Sequence, residues 1–168
     1  MRPGPVISRD AITLGQVAYA AADVPAAVAH FQRAAELNPA DSEALNNLGQ
    51  ALVRAGRPAE AVPYFDRAVA IGPTNWAYRF NRARALGEMG QWSDAAEGYR
   101  DAQRLFPDDY ATVFNLAKAL QRSGDLTAAL GAFERAIALA PGQPDFHLSH
   151  GLALEAAQRP KEAAAAYR

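Results

Sequence analysis

A small residue returns along this chain at a fixed interval of 34 positions, as Gly15, Gly49, Ala83, Ala117 and Gly151. Such an interval marks a repeat protein, in which one supersecondary unit recurs and buries its apolar face only against its neighbours. Windows cut on this interval run 8–41, 42–75, 76–109, 110–143 and 144–168, preceded by an extension of residues 1–7. Counted from the first residue of each window, position 20 is Ala27, Ala61, Ala95, Ala129 and Ala163, and position 27 is Ala34, Ala68, Ala102 and Ala136. Position 24 is aromatic throughout, as Phe31, Phe65, Tyr99, Phe133 and Tyr167, and position 32 is Pro39, Pro73, Pro107 and Pro141. Glycine inside a helix is less favourable than alanine by about 1 kcal/mol, so its use at position 8 implies close approach of another chain segment.

Between these anchors the apolar residues follow helical spacing. Leu48 and Leu52, and again Leu116 and Leu120, stand four apart on one face, and Ala61, Phe65 and Ala68 carry the period through the second half of a window. Gly56, Gly90 and Gly124 at position 15 mark a helix end, and Asp23 and Asp125 are suited to cap the helix that follows. Each window therefore predicts two antiparallel helices joined by a short turn, the second closed near the proline at position 32. Pro63 falls in or near the first turn of the second window's second helix, where a missing N–H costs least, and a mild distortion is expected there. One hairpin has too little apolar area to offset the entropy of ordering its backbone, so the hairpins must stack.

In the second window the anchors read Leu45, Leu48, Gly49 and Leu52, then Ala61, Phe65, Ala68 and Pro73. This pattern resembles the tetratricopeptide repeat family, and the resemblance extends over residues 8–168. It implies an all-α, right-handed α-solenoid of antiparallel helix hairpins. There are departures. Leu52 and Leu120 stand where the family has Tyr, and Arg79 and Arg82 replace two apolar residues of the third window. Either that helix is rotated or the arginines lay their stems over the seam and carry their heads outward. His147 and His150 occupy the same two places in the fifth window.

The resemblance further implies that the first helices line a concave face that holds extended peptides, with position 6 pointing into it. That position holds Thr13, Asn47, Asn81, Asn115 and Ser149. An amide both donates to a C=O and accepts from an N–H, so a ladder of Asn47, Asn81 and Asn115 suits the reading of a peptide main chain. It is similar to the asparagine ladder of the repeat domain in protein O-linked N-acetylglucosamine transferases. The same amides can instead bond the neighbouring helix and set the angle between repeats. Around them the expected groove residues are Gln50 and Arg54, then Phe80 and Arg84, then Phe114, Lys118 and Arg122, with Arg9 and Tyr19 extending the surface. Positive charges there outnumber Glu43 and Glu88, which favours a partner with acidic side chains or a free C-terminal carboxylate. Phe80 and Phe114 either take apolar side chains from the partner or pack between repeats. The carboxylate clamp of chaperone-binding members is not reproduced: Asn47 fits its middle element, but Ile12, Gln16, Ala77 and Asn81 stand where its other residues belong.

Composition closes several function classes. With 17 basic and 18 acidic residues the net charge is -1, which gives little counterion-release drive toward nucleic acid and no pull toward acidic lipid. The absence of cysteine excludes disulfides, thiol nucleophiles and cysteine-ligated zinc. No phosphate-binding glycine loop or nucleophile elbow occurs and the carboxylates are scattered, so neither an active site nor a cofactor is expected. His147 and His150 share a helix face without a third ligand placed by the sequence, and they are read as packed or partly exposed; His30 has no evident partner. No signal-peptide core or long apolar run is present, so the expected location is cytoplasmic, and the excess of Arg over Lys points to GC-rich bacterial coding.

The expected function is that of a non-catalytic protein-interaction module, binding an extended peptide or protein segment. The fifth window stops before any counterpart of Ala34 and Pro39. Two alternatives follow from that: a substrate-recruiting N-terminal arm of a larger glycosyltransferase- or sulfotransferase-type enzyme, or a self-assembling scaffold that forms homo-oligomers through its repeat ends.

Overall fold

The computed structural model describes residues 7–167, and within them lie ten α-helices and no strand. The first helix of each repeat is α1 (Ser8–Ala20), α3 (Ser42–Arg54), α5 (Trp76–Glu88), α7 (Tyr110–Ser123) or α9 (Pro144–Ala156). The second is α2 (Val24–Leu37), α4 (Pro58–Ile71), α6 (Trp92–Leu105), α8 (Leu126–Leu139) or α10 (Pro160–Ala166). Both series start at the interval read in the sequence. The helices pair as antiparallel hairpins and fall into two compact units parted between Ala85 and Leu86, inside α5. In the first unit α1 packs on α2, α2 on α3 and α3 on α4; in the second, α6 packs on α7, α7 on α8, α8 on α9 and α9 on α10.

Local chemistry fixes where helices begin. Asp23 accepts from the Ala26 N–H at 3.1 Å and Asp125 from the Ala128 N–H at 3.1 Å, as expected of them. The sequence reading missed two further caps. Asp41 accepts from the Glu43 and Ala44 N–H groups at 3.0 and 3.1 Å, and Asp109 from the Thr112 N–H at 2.7 Å. Each of the four caps satisfies N–H groups that the first turn leaves open.

Where helices stop is equally local. Asn38, Gly72, Phe106 and Ala140 follow the second helices, each stands just before a proline, and their φ values run from -118 to -143. A following proline clashes with α-helical backbone at the residue before it, which forces this extended exit. The turn between first and second helix uses one left-handed residue in every repeat: Ala22 (φ 61), Gly56 (φ 73), Gly90 (φ 76), Gly124 (φ 94) and Gln158 (φ 59). The next N–H then returns to a carbonyl five residues back, as in Asp23 to Ala18 (2.9 Å), Arg57 to Leu52 (2.9 Å) and Asp125 to Leu120 (3.0 Å). This is the Schellman closure, and it demands the positive φ whether or not glycine supplies it.

The small residue at position 8 exists for the aromatic at position 24. A Cβ built on Gly15 would stand 2.6 Å from the Phe31 ring, one on Gly49 2.6 Å from Phe65, and one on Gly151 2.1 Å from Tyr167. Phe65 and Phe133 are fully buried and Phe31 is nearly so. In the first unit these rings join Leu45, Leu48, Leu52 and Tyr78 in one cluster; in the second, Val113, Ala136 and Phe146 pack together with Phe114 against them.

Two departures have concrete outcomes. Arg79 donates to the Pro73 carbonyl and Arg82 to the Asp66 carboxylate, which keeps both heads at exposed hydrogen bonds. Pro63 stands five residues after Pro58, just past the first turn, and α4 runs unbroken from Pro58 to Ile71. Its exposed position lets water serve the carbonyl that loses its donor. Among the described residues no helix is long and apolar enough to cross a membrane.

Two stability tests follow. Gly49→Ala adds helix propensity but drives a methyl into the buried Phe65 ring, so unfolding free energy should fall by about 1–3 kcal/mol in urea titration; an equal or higher value would show that the ring yields freely. Gly124→Ala should cost about 1 kcal/mol for its left-handed backbone, while Ala22→Gly relieves the same strain and should raise the thermal midpoint.

Candidate functional site

The expected groove residues are best taken within each unit. In the first, Gln16 and Tyr19 lie three apart on α1, and Asn47 and Gln50 lie three apart on α3, so each pair shares a helix face. With Ala20 and Phe31 they line a pocket of about 140 Å³. Gln16 donates to Glu43 at 3.3 Å, which ties α1 to the first turn of α3. The Arg54 guanidinium lies 4.6 Å over the Tyr19 ring and donates to the Tyr19 carbonyl at 2.8 Å. That arrangement combines a cation–π contact with a charge-assisted hydrogen bond and holds the cation at the pocket rim. Among the described residues the half-buried Asn47 and Gln50 amides have no hydrogen-bond partner.

Further along the unit, α5 carries Phe80, Asn81 and Arg84. Asn81 is only 7% exposed and donates to the Asn46 side-chain oxygen at 2.9 Å. One of its donors thus serves the neighbouring helix. Phe80 meets Trp76 edge-on with ring centres 6.0 Å apart. The Arg84 Nε is buried without a hydrogen-bond partner among the described residues, a condition that costs about 1–3 kcal/mol until something accepts from it.

The second unit places its four expected residues on α7. Phe114 stacks on Phe146 at 4.2 Å and meets Phe133 edge-on at 5.8 Å, so it packs between repeats. Lys118 Nζ lies 5.6 Å from the Phe114 ring centre, and the Arg122 guanidinium lies 5.6 Å from that of Trp92. Asn115 donates to the Ala111 carbonyl of its own helix at 2.8 Å. The three amides of the expected ladder therefore have three different environments: Asn47 unbonded, Asn81 on a buried neighbour and Asn115 on its own backbone. Gln16 and Phe31 entered the pocket without having been singled out for it; their places at positions 9 and 24 were the available signal. Trp92 gave no such signal.

Two histidines of α9 differ in their surroundings. His147 Nε2 lies 3.0 Å from the Pro141 carbonyl. His150 sits with its ring centre 6.3 Å from that of Phe133, its side chain 13% exposed, and its buried Nε2 3.9 Å from the Glu134 carboxylate without a hydrogen bond. Among the described residues no three His, Asp or Glu side chains gather as a metal site would require. Burial holds the His150 pKa below its ordinary value; Glu134 and Glu162 oppose that shift, while Arg159 and His147 add to it. An unfolded histidine titrates near 6.5. Between that pH and the lower folded pKa the unfolded chain binds more protons, so stability is fully present above about pH 6.5 and declines as pH falls through the window. His150→Leu, which installs the residue found at Leu48 and Leu116, should flatten the urea midpoint across this range; an unchanged slope would assign it to other groups.

A family model described as a tetratricopeptide repeat matches residues 12–75, 80–144 and 114–168. No curated protein sequence matches the chain. Among solved structures the chain is similar to MamA (residues 41 to end) from Desulfovibrio magneticus RS-1, with TM-score 0.89 and 20% identity over 95% of this chain and 90% of that one. It is also similar to YrrB, described as a TPR protein with an unusual peptide-binding site, with TM-score 0.80 and 21% identity over 95% of this chain and 82% of that one. At these identities the likeness concerns the fold.

Proposed function

The chain belongs to the tetratricopeptide repeat family, and from that premise we propose that it is a non-catalytic interaction module whose first helices hold an extended, acidic protein segment. The observation that carries this reading is the α1–α3 pocket, where the Asn47 and Gln50 amides stand half-buried and unbonded beside the Tyr19–Arg54 clasp. Half-buried amides without protein partners among the described residues keep a donor and an acceptor open to peptide C=O and N–H groups. YrrB, whose described site also takes peptide, offers a precedent on the same fold.

Charge points to the partner's chemistry. In the first unit Arg54 is held at the pocket rim with guanidinium N–H groups to spare beyond the one that serves the Tyr19 carbonyl. A carboxylate meets such guanidinium groups in a bidentate fork that a neutral side chain cannot form. Asn81, engaged with Asn46, has its main role in setting α3 against α5.

The test begins with affinity capture from the source organism and mapping of the retained segment as a synthetic peptide. Asn47→Ala combined with Gln50→Ala should weaken its binding about tenfold, each lost hydrogen bond contributing about 0.5–1.5 kcal/mol. Asn115→Ala should change it little. Full affinity in the double variant, with circular dichroism unaltered, would remove the amide pair from the site and this reading with it.

A further inference from the structure

Gly131 stands at an exposed position where the other repeats hold Ala29, Pro63, Glu97 and Ala165. It lies inside α8, where glycine is unfavourable relative to alanine. Gly15, Gly49 and Gly151 each have an aromatic ring against them, whereas a Cβ on Gly131 would meet nothing within 4 Å. No neighbouring chain segment calls for it.

Gly131 borders a cleft of about 400 Å³ whose walls are α6 and α8 and whose floor is α7. Leu116 and Leu120 lie at the bottom, and Arg100, Arg104 and Arg135 stand around it, with no carboxylate in the lining. By helical spacing this is a different face of α7 from the one bearing Phe114 and Lys118. Arg135 donates to the Pro107 carbonyl at 3.0 Å and lies 3.8 Å from the Asp108 carboxylate, and Arg104 is paired with Asp101, while Arg100 has no ion pair among the described residues. Two repeats earlier, in the first unit, Pro63 and Tyr64 stand at the places of Gly131 and Ala132, and Tyr64 packs onto the core cluster. Gln32 and Glu36 stand there in place of Arg100 and Arg104. In the second unit the place of Tyr64 is held by Ala132, and arginines stand beside it.

We propose that this cleft docks an acidic segment of another protein, which inserts one large apolar side chain between α6 and α8. A cleft of this size takes a side chain rather than a folded surface, and pockets that accept small ligands begin at about 300 Å³. The guanidinium groups offer forked N–H donors to flanking carboxylates. The bare backbone at Gly131 lets the partner's main chain approach α8 closely. Desolvated apolar contact supplies the anchor and the charges supply selectivity.

The test uses the whole chain and two short fluorescein-labelled peptides with a central Phe, one flanked by Asp and Glu and the other by Lys and Arg, read by fluorescence anisotropy. The acidic peptide should bind saturably and the basic one should not. Arg100→Glu with Arg104→Glu should weaken binding at least about tenfold through like-charge repulsion. Gly131→Leu should also weaken it about tenfold while raising the thermal midpoint, because it fills the mouth of the cleft and improves the helix; misfolding cannot produce that combination. Arg33→Ala, at an exposed position of α2 in the first unit, should leave this binding unchanged. The proposal fails if the acidic peptide does not bind, if Gly131→Leu binds it as well as the parent chain, or if Arg33→Ala is the variant that loses it. It fails equally if dodecanoate, as a free anionic amphiphile, displaces the peptide and binds more tightly.

Discussion

The close seating of an aromatic ring on a glycine backbone is the constraint from which the rest of the structure follows. At Gly49 and Phe65 a first helix meets its partner helix at a distance that even a methyl group would obstruct. Glycine there gives up about 1 kcal/mol of helix propensity, and full burial of a phenylalanine side chain returns about 1.5–3 kcal/mol. The exchange is favourable only if the ring is sealed on all sides, and the alanines at positions 20 and 27 seal it: Ala61 and Ala68 are as fully buried as Phe65 itself. Gln16 and Tyr19 on α1, and Asn47 and Gln50 on α3, line a pocket at the edge of this seam, beside the Phe31 ring that Gly15 admits.

The parts of the structure that were legible in the sequence are those governed by local chemistry. A residue before proline must leave the helix, an Asp before a helix can cap it, and a left-handed turn suits glycine, so Asn38, Asp23 and Gly124 behave as their neighbours dictate. Ala22 and Gln158 show the limit of that reading, since they adopt positive φ because the closure of the hairpin requires it, although neither residue favours it. Pro63 shows a second limit, because whether a proline is tolerated depends on whether the carbonyl it orphans can reach water.

The amide series was less legible for a related reason. Identical residues at one repeat position share a helix face, yet their bonds depend on what the next helix presents. Asn46 precedes Asn47 at position 5, where the other repeats hold Ile12, Phe80, Phe114 and Leu148. An amide partner is therefore available to Asn81 alone, and Asn115 turns to the Ala111 carbonyl. The buried Asn81 amide thus has a side-chain partner on α3, whereas Asn47 has none among the described residues. Periodicity in sequence thus establishes equivalent placement, while chemical equivalence also needs periodic neighbours.

That distinction bears on how such an array acquires function. Positions 8, 20, 24 and 27 are held nearly constant by packing, so variation falls on the sides of the helices that the seam does not use. The two units illustrate the result. On the first-helix side of the first unit, unbonded amides stand beside a cation held on Tyr19; on α7 of the second, Lys118 and Arg122 lie over aromatic rings. Among second helices, Tyr64 packs against the core cluster, and its counterpart Ala132 lines an open cleft. Because stability in a repeat array resides mainly in each hairpin and its nearest interfaces, a substitution at such a position is felt locally and need not be compensated elsewhere. Departures from the repeat therefore accumulate at little cost to the fold, and they mark the surfaces on which partners can be distinguished.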